Sequence, residues 1–367
     1  MFLALRELKY AKLRYFLIGF IMVLIAWLVL FVSGLAKGLA SDNASSIQKM
    51  DTDYLVIQKE ADHRLVRSIL SEDKLKDIQD YTNNESAAPL GIQMTTFTQK
   101  GSSKKIDATF FAVDMKGFLA PDVIDGRMIN NKTTNEIVAD SSLKEDGLRL
   151  GDYIKEQFSG KTFEIVGFSK GESFSHTPVI HINFKEWGEI HKLSANKQLF
   201  FNAIALKTSQ DAAEQIDKNV AGVDLIDKSE ALKSIPGYSE EQGSLIMMIV
   251  FLFIIAAFVL AVFFYVMTIQ KINQFGVLKA IGATTGYIAR NIVFQVLLLT
   301  FISLVISIVL TYGVAAILPS SMPFDLTPKL VLGSSGLFLA VSVIGSLISL
   351  YKVTKIDAIE AIGSAAQ

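Results

Sequence analysis

The chain has 367 residues, of which 51% are hydrophobic and only 19% are charged, and its net charge is -1. A soluble protein carries about 25% charged residues, so the composition argues against a wholly water-soluble chain and directs attention to membrane-spanning segments. Cysteine is absent, which excludes disulfide frameworks, thiolate metal centres and cysteine nucleophiles.

Residues 1–14 interleave Met1, Phe2, Leu5, Leu8 and Leu13 with Arg6, Lys9, Lys12 and Arg14 at near-helical spacing. That pattern predicts an amphipathic helix in the cytoplasmic membrane interface. Tyr15 to Ala36 has no charged residue and predicts the first spanning helix, 15–36. The run is too long for the apolar part of a cleaved signal, and Ser33-Gly34-Leu35-Ala36 makes a poor cleavage site.

Residues 37–243 mix strand and helix patterns and predict an α+β extracytoplasmic domain. Strands are expected at 53–58, 105–113, 135–139, 162–166, 177–182 and 202–206, from alternating or continuous β-branched and aromatic residues. Helical spacing is found at 66–81, 210–220 and 228–235, with a short helix at 184–191. Residues 146–154 form a glycine-rich turn that leads into a strand.

Three further uncharged runs follow, within 244–269, 291–318 and 330–351. Each reaches the roughly 20 residues that a helix needs to cross the hydrocarbon core. Between them lie a basic cytoplasmic loop, 270–290, and a short external loop, 319–329. A cytoplasmic tail, 352–367, ends the chain. Basic residues cluster before the first run, at Lys271, Lys279 and Arg290, and at Lys352 and Lys355, while the acidic excess falls on 37–243. By the positive-inside rule both termini and the 270–290 loop are cytoplasmic in a cell-membrane protein.

Enzyme chemistry finds little support. The histidines are His63, His176, His181 and His191. The odd spacing of His176 and His181 sets them on opposite faces of a strand, against a shared metal site. The sequence holds neither a Gly-x-Ser-x-Gly elbow nor a Gly-x4-Gly-Lys-Ser/Thr phosphate loop, so the chain is not expected to hydrolyse ATP. No nucleic-acid partner and no bound cofactor or metal are expected. Small residues, Gly19, Ala256, Ala257, Gly336 and Gly345, mark places where spanning helices can approach closely.

The most informative stretch is Gln274-Phe-Gly-Val-Leu-Lys-Ala-Ile-Gly-Ala283 in the cytoplasmic loop. It resembles the Glu-x-Gly-x-Leu-Lys-Ala-x-Gly-Ala signature of FtsX/MacB-type ABC permeases, and the order of one helix, a large outer domain and three helices matches that family throughout. The ending, Lys355-Ile-Asp-Ala-Ile-Glu-Ala361, is similar to the family's Lys-x-Asp-Pro-x-Glu-Ala. Gln274 and Ala358 stand where the family has glutamate and proline. Phe31 to Leu39, Phe264 to Lys271 and Ser321-Met-Pro-Phe324 resemble the Hrt-type haem-efflux permeases in particular.

The resemblance implies a permease subunit whose energy comes from ATP bound by a separate ABC ATPase, in two copies under a homodimer, with haem or a similar amphipathic compound as substrate. It implies that Gln274, Phe275, Gly276, Leu278, Lys279, Ala280 and Gly282 couple to the ATPase, with Phe275, Val277, Leu278 and Ile281 as the docking face. Tyr238 and His176 are the candidate haem-binding residues, since phenolate and imidazole both ligate ferric haem. The alternatives are another cargo, such as a peptide, lipid or lipoprotein, and FtsX-like transmission of force to a cell-wall hydrolase.

Overall fold

A computed structural model describes residues 12–82, 84–99, 101, 103–192, 199–319 and 322–354. Most of the expected interfacial helix over 1–14 and most of the tail after 352 lie outside the described residues. The chain forms two compact units, Leu39–Gln242 and Met1–Gly38 with Gly243–Gln367.

In the first unit, β1 (Tyr54–Gln58) lies between β12 (Ala203–Leu206) and β13 (Val223–Asp227), antiparallel to both. Strand alternation sorts these side chains to two faces. Leu55, Ile57, Ala203 and Ala205 enter one core, with Ala44 and Ile47 from the first helix. Val56, Ile204 and Leu206 enter another, with Ile78 of α2 (Glu72–Gln79) and Ile216 of α4 (Gln210–Asn219).

The long β3 (Ala87–Gln99) joins this sheet to a closed barrel. Its first residues pair with β12, its middle with β4 (Lys105–Ala112) and its last with β7 (Tyr153–Glu156). From β4 the ladder runs through β10 (Thr177–Ile182), β6 (Glu136–Asp140) and β8 (Thr162–Ser169), and β8 pairs with β7 to close the ring. Phe97, Phe110, Phe163 and Phe168 fill the barrel, with Trp187 of α3 (Phe184–Ile190) in the same core. A closed barrel leaves no edge between those strands to recruit another chain. Shorter strands, β2 (Leu70–Ser71) with β11 (Phe200–Phe201), β5 (Val123–Gly126) on β8 and β9 (Ser173–Phe174) on β10, complete the unit with α5 (Lys228–Lys233).

Two expectations need correction. The pattern over 66–81 is not one helix: a 3-10 turn at Leu65–Arg67 and β2 precede α2, which starts at Glu72. Leu70 is held extended because it pairs with Phe201 and is buried beside it. The central β3 was not anticipated, because Pro89 and Gly91 interrupt the strand pattern. Gly91 is there for packing: a Cβ would stand 2.9 Å from the Trp187 ring.

The second unit holds the apolar helices. The first, α1 (Lys12–Lys49), does not stop at Ala36, and its single non-helical residue is Ala44. It continues because Ala40, Ala44 and Ile47, three to four residues apart, are all buried in the outer unit. α6 (Tyr238–Ile269), α8 (Thr285–Ala315) and α9 (Pro328–Thr354) are the other helices long and apolar enough to span a membrane. Their core repeats at helical spacing: Tyr15, Ile18, Met22, Ala26 and Val29 of α1 meet Phe253, Ala256, Leu260, Phe264 and Met267 of α6. Leu13, Phe16, Leu17, Phe20 and Leu28 point outward instead, as lipid-facing side chains do.

Close approach between these helices rests on small residues. Ser307 Oγ donates to the Val23 carbonyl at 2.9 Å and Ser303 Oγ to the Gly19 carbonyl at 3.3 Å, fastening α8 to α1. Gly345 lets α9 onto the α6 backbone, where a Cβ would lie 3.4 Å from Ala261. Gly336, expected to serve the same end, has nothing within 4 Å.

Candidate functional sites

The expected coupling segment is a distinct short helix, α7 (Ile272–Ala280). Its end is a Schellman cap. Gly282 takes φ 97, which L side chains resist; its N–H donates to the Lys279 carbonyl at 3.0 Å, and the Ala283 N–H to the Leu278 carbonyl at 2.9 Å. Thr284 then caps α8, its side chain accepting from the Tyr287 N–H at 3.3 Å. The Gly-Ala-Thr sequence thus makes a stiff corner.

This corner decides which side chains of α7 are free. Phe275 is 2% exposed and packs on Ile288 and Ile292 of α8, with Leu278 half-buried beside it. Phe275 and Leu278 therefore anchor the helix to its own unit. Gly276 is buried on the same side. Val277, Gln274, Ala280 and Ile281 are exposed, Lys279 is half-buried and Gly282 is exposed at the corner. The apolar surface open to a partner is formed by Val277 and Ile281.

The start of α7 carries a cluster that sequence reasoning missed. Lys271 is buried, and its Nζ donates to Tyr15 OH at 2.7 Å and to Gln295 Oε1 at 3.0 Å. Tyr15 OH also donates to Gln295 Oε1 at 3.3 Å. One polar network thus ties the start of α7 to α1 and α8. Basic residues at a membrane boundary are read as topology signals, and nothing in the spacing of Tyr15, Lys271 and Gln295 marks them as neighbours.

At the other end of this unit two of the three stretches that resemble haem permeases, Phe31 to Leu39 and the one ending at Phe324, come together. The Asp325 N–H donates to the Gly34 carbonyl at 3.0 Å, and the Phe31 and Phe324 rings stand 5.3 Å apart. Gly38 lies under the loop so closely that a Cβ would be 2.2 Å from the Pro323 carbonyl oxygen.

The candidate haem residues lie at one end of the outer unit. His176 and Ser175 form the tight turn between β9 and β10, both with positive φ. Both ring nitrogens are engaged: Nδ1 with Asp42 Oδ2 at 2.9 Å and Nε2 with Glu241 Oε2 at 3.1 Å. Burial pulls the imidazole pKa down, but the Asp42 hydrogen bond and the charges of Glu241 and Asp42 outweigh it and hold the pKa above its ordinary value. In this arrangement His176 has no nitrogen to offer iron. Tyr238 opens α6 one turn before Glu241, half-buried against the outer core. Among the described residues no group of three His, Asp or Glu side chains could hold a metal ion.

Comparison with known proteins gives a family, two relatives and a solved structure. Residues 246–358 match the FtsX-like permease C-terminal family. The chain is 34% identical, over 98% of its length and 99% of the relative's, to a Staphylococcus epidermidis protein with the provisional name hemin transport system permease protein HrtB. It is 23% identical, over 99% of both chains, to an uncharacterised ABC transporter permease of Mycobacterium tuberculosis. Among solved structures, the periplasmic region of MacB from Actinobacillus actinomycetemcomitans is similar at 13% identity and a TM-score of 0.37, covering 51% of this chain and 94% of that one.

Proposed function

Because this chain belongs to the FtsX-like ABC transporter permeases, we propose that it is the membrane half of an ATP-driven exporter of haem or a similarly amphipathic molecule. The observation that carries the cargo is the 34% identity, end to end, to a protein named for hemin transport. The helices add a physical argument. Their apolar runs hold no charged residue, which suits a flat, largely apolar cargo taken from the membrane better than an ion or proton relay.

Energy comes from a separate ATPase that docks on α7. Val277 and Ile281 provide the apolar contact and Lys279 the charge at its rim. The Schellman corner and the Lys271 network make α7 a lever joined to α1 and α8, so that movement of the ATPase reaches the spanning helices. Two copies of the chain with two ATPases form the working unit. The basic loop and both termini face the cytoplasm, and the acidic domain lies outside. Tyr238 is the candidate ligand to haem at the outer surface. His176 joins it only if a carboxylate gives up one ring nitrogen.

The test is to purify the permease with its ATPase and titrate haem. Haem should raise ATP turnover saturably, and Tyr238→Phe should weaken binding and shift the haem absorption band. ATP turnover indifferent to haem, with no haem retained by the complex, would move the function to another cargo.

A further inference from the structure

The outer unit contains a cavity of about 450 Å3 between the last turn of α1, the β4–β10 region of the barrel and the loop before β5. Pockets of about 300–1,000 Å3 are the range that holds small ligands. One wall is apolar, with Leu90, Phe111, Phe118 and Leu119. The lining also includes Lys49, Lys170, Glu172 and His181, with the His181 ring edge-on to Phe111 at 6.1 Å.

His181 is the unusual member. It is 3% exposed, and its Nε2 is bonded to Glu172 Oε2 at 2.8 Å. Its Nδ1 is buried and has no hydrogen-bond partner among the described residues. A buried nitrogen left unpaired costs about 1–3 kcal/mol, which a bonding partner would recover. His176 shows the completed form in the same domain, an imidazole held between two carboxylates.

Charged groups also line the cavity. Burial pushes the Glu172 carboxyl up, but the charge and hydrogen bond of His181, with Ser169 and Lys49, bring it below its ordinary value. Asp51, also in the lining, is paired with Lys207 at 2.5 Å. The ammonium groups of Lys49 and Lys170 share the lining with the carboxylates of Glu172 and Asp122, and Lys170 and Asp122 are exposed. Lys49 Nζ donates to the Gly171 carbonyl at 2.7 Å, which sets its ammonium at this cavity, where its charge also acts on Glu172.

We propose that this cavity is an extracytoplasmic site for a small amphipathic carboxylate, whose acid group bonds to His181 Nδ1 and faces Lys49 and Lys170 while its apolar body lies on Phe111 and Phe118. Ser46 and Lys49 belong to α1, so an occupant touches the end of the helix that continues into the membrane. The site is separate from Tyr238 and His176 and does not depend on the haem reading.

The experiment uses the full-length permease with its ATPase and measures binding of 4-phenylbutyrate by calorimetry, with 4-phenylbutanol as its uncharged counterpart. We expect saturable binding of one 4-phenylbutyrate per chain. The alcohol should bind about tenfold more weakly or worse, a difference of about 1.4 kcal/mol. Lys170→Gln, at an exposed position, should weaken the acid and leave the alcohol unchanged; His181→Phe, which keeps the ring shape, should abolish the preference for the acid. Lys155→Gln, on the exposed side of β7, should change neither. Absence of saturable binding by 4-phenylbutyrate, equal binding of acid and alcohol, or insensitivity to both Lys170→Gln and His181→Phe would overturn the proposal.

Discussion

Replacing Gly38 by alanine sets two effects of opposite sign against each other. Within an unobstructed helix the change is favourable by about 1 kcal/mol, because alanine loses less backbone freedom. Here the new methyl would lie 2.2 Å from the Pro323 oxygen, 2.4 Å from its carbonyl carbon and 2.6 Å from the Phe324 nitrogen. These are backbone atoms, so no rotamer change relieves the contact and the loop must lift. Overpacking of this kind costs about 1–3 kcal/mol. Lifting also weakens the Asp325–Gly34 hydrogen bond, worth about 1 kcal/mol. The clash should win by about 1–3 kcal/mol, which corresponds to a 5- to 150-fold shift in the opening equilibrium. Hydrogen exchange reads this directly, since the Asp325 amide is the donor: Gly38→Ala should speed its exchange by about that factor while amides in the α6 core stay protected. Unchanged or slower exchange, with a more heat-stable protein, would mean that only helix propensity responded and that the loop does not rest on Gly38.

Asp at Val277 or at Ile281 should release the ATPase from the purified complex while the permease still inserts and folds; Phe275→Asp should instead destabilise the permease itself by several kcal/mol, as a charge forced into an apolar contact does. If Val277→Asp and Ile281→Asp both co-purify with the ATPase at normal yield, α7 docks by another face. Lys271→Met should cost about 1–3 kcal/mol by stripping Tyr15 and Gln295 of a partner, seen as a lower unfolding temperature in detergent that Tyr15→Phe does not add to in full. Glu156 is buried, and burial pushes its carboxyl up, but bonds from Ser159, Thr95 and the Phe158 amide hold it below its ordinary value of 4.5. Its contribution is therefore present above the unfolded value and is lost as pH falls through the folded one. Glu156→Gln should lower stability near neutral pH by about 1–3 kcal/mol and flatten the acid limb of the outer domain's unfolding curve; an unaltered acid limb would refute that assignment.

The spanning helices and most outer strands were legible in the chain because hydrophobic length and alternation are local properties. A run of about 20 uncharged apolar residues has few other places to go, and β1, β4, β8, β10 and β12 carry their pattern within a few residues. The α7 corner was legible for the same reason, since a helix, a glycine at positive φ and a threonine cap are all written within the Gln270–Arg290 loop. Distance in sequence hid the rest. Whether Phe275 faced a partner or its own helix depended on Ile288 and Ile292 arriving across the Gly282 turn. His176 read as an available ligand until the ends of two helices brought Asp42 and Glu241 to its two nitrogens. For His181 the sequence argued only against a metal site shared with His176; strand pairing buried it beside Glu172 with one nitrogen unmet. Periodicity encodes which way a side chain points along its own element; the atom it meets is fixed only when remote segments pack, and for these residues that partner decides the chemistry.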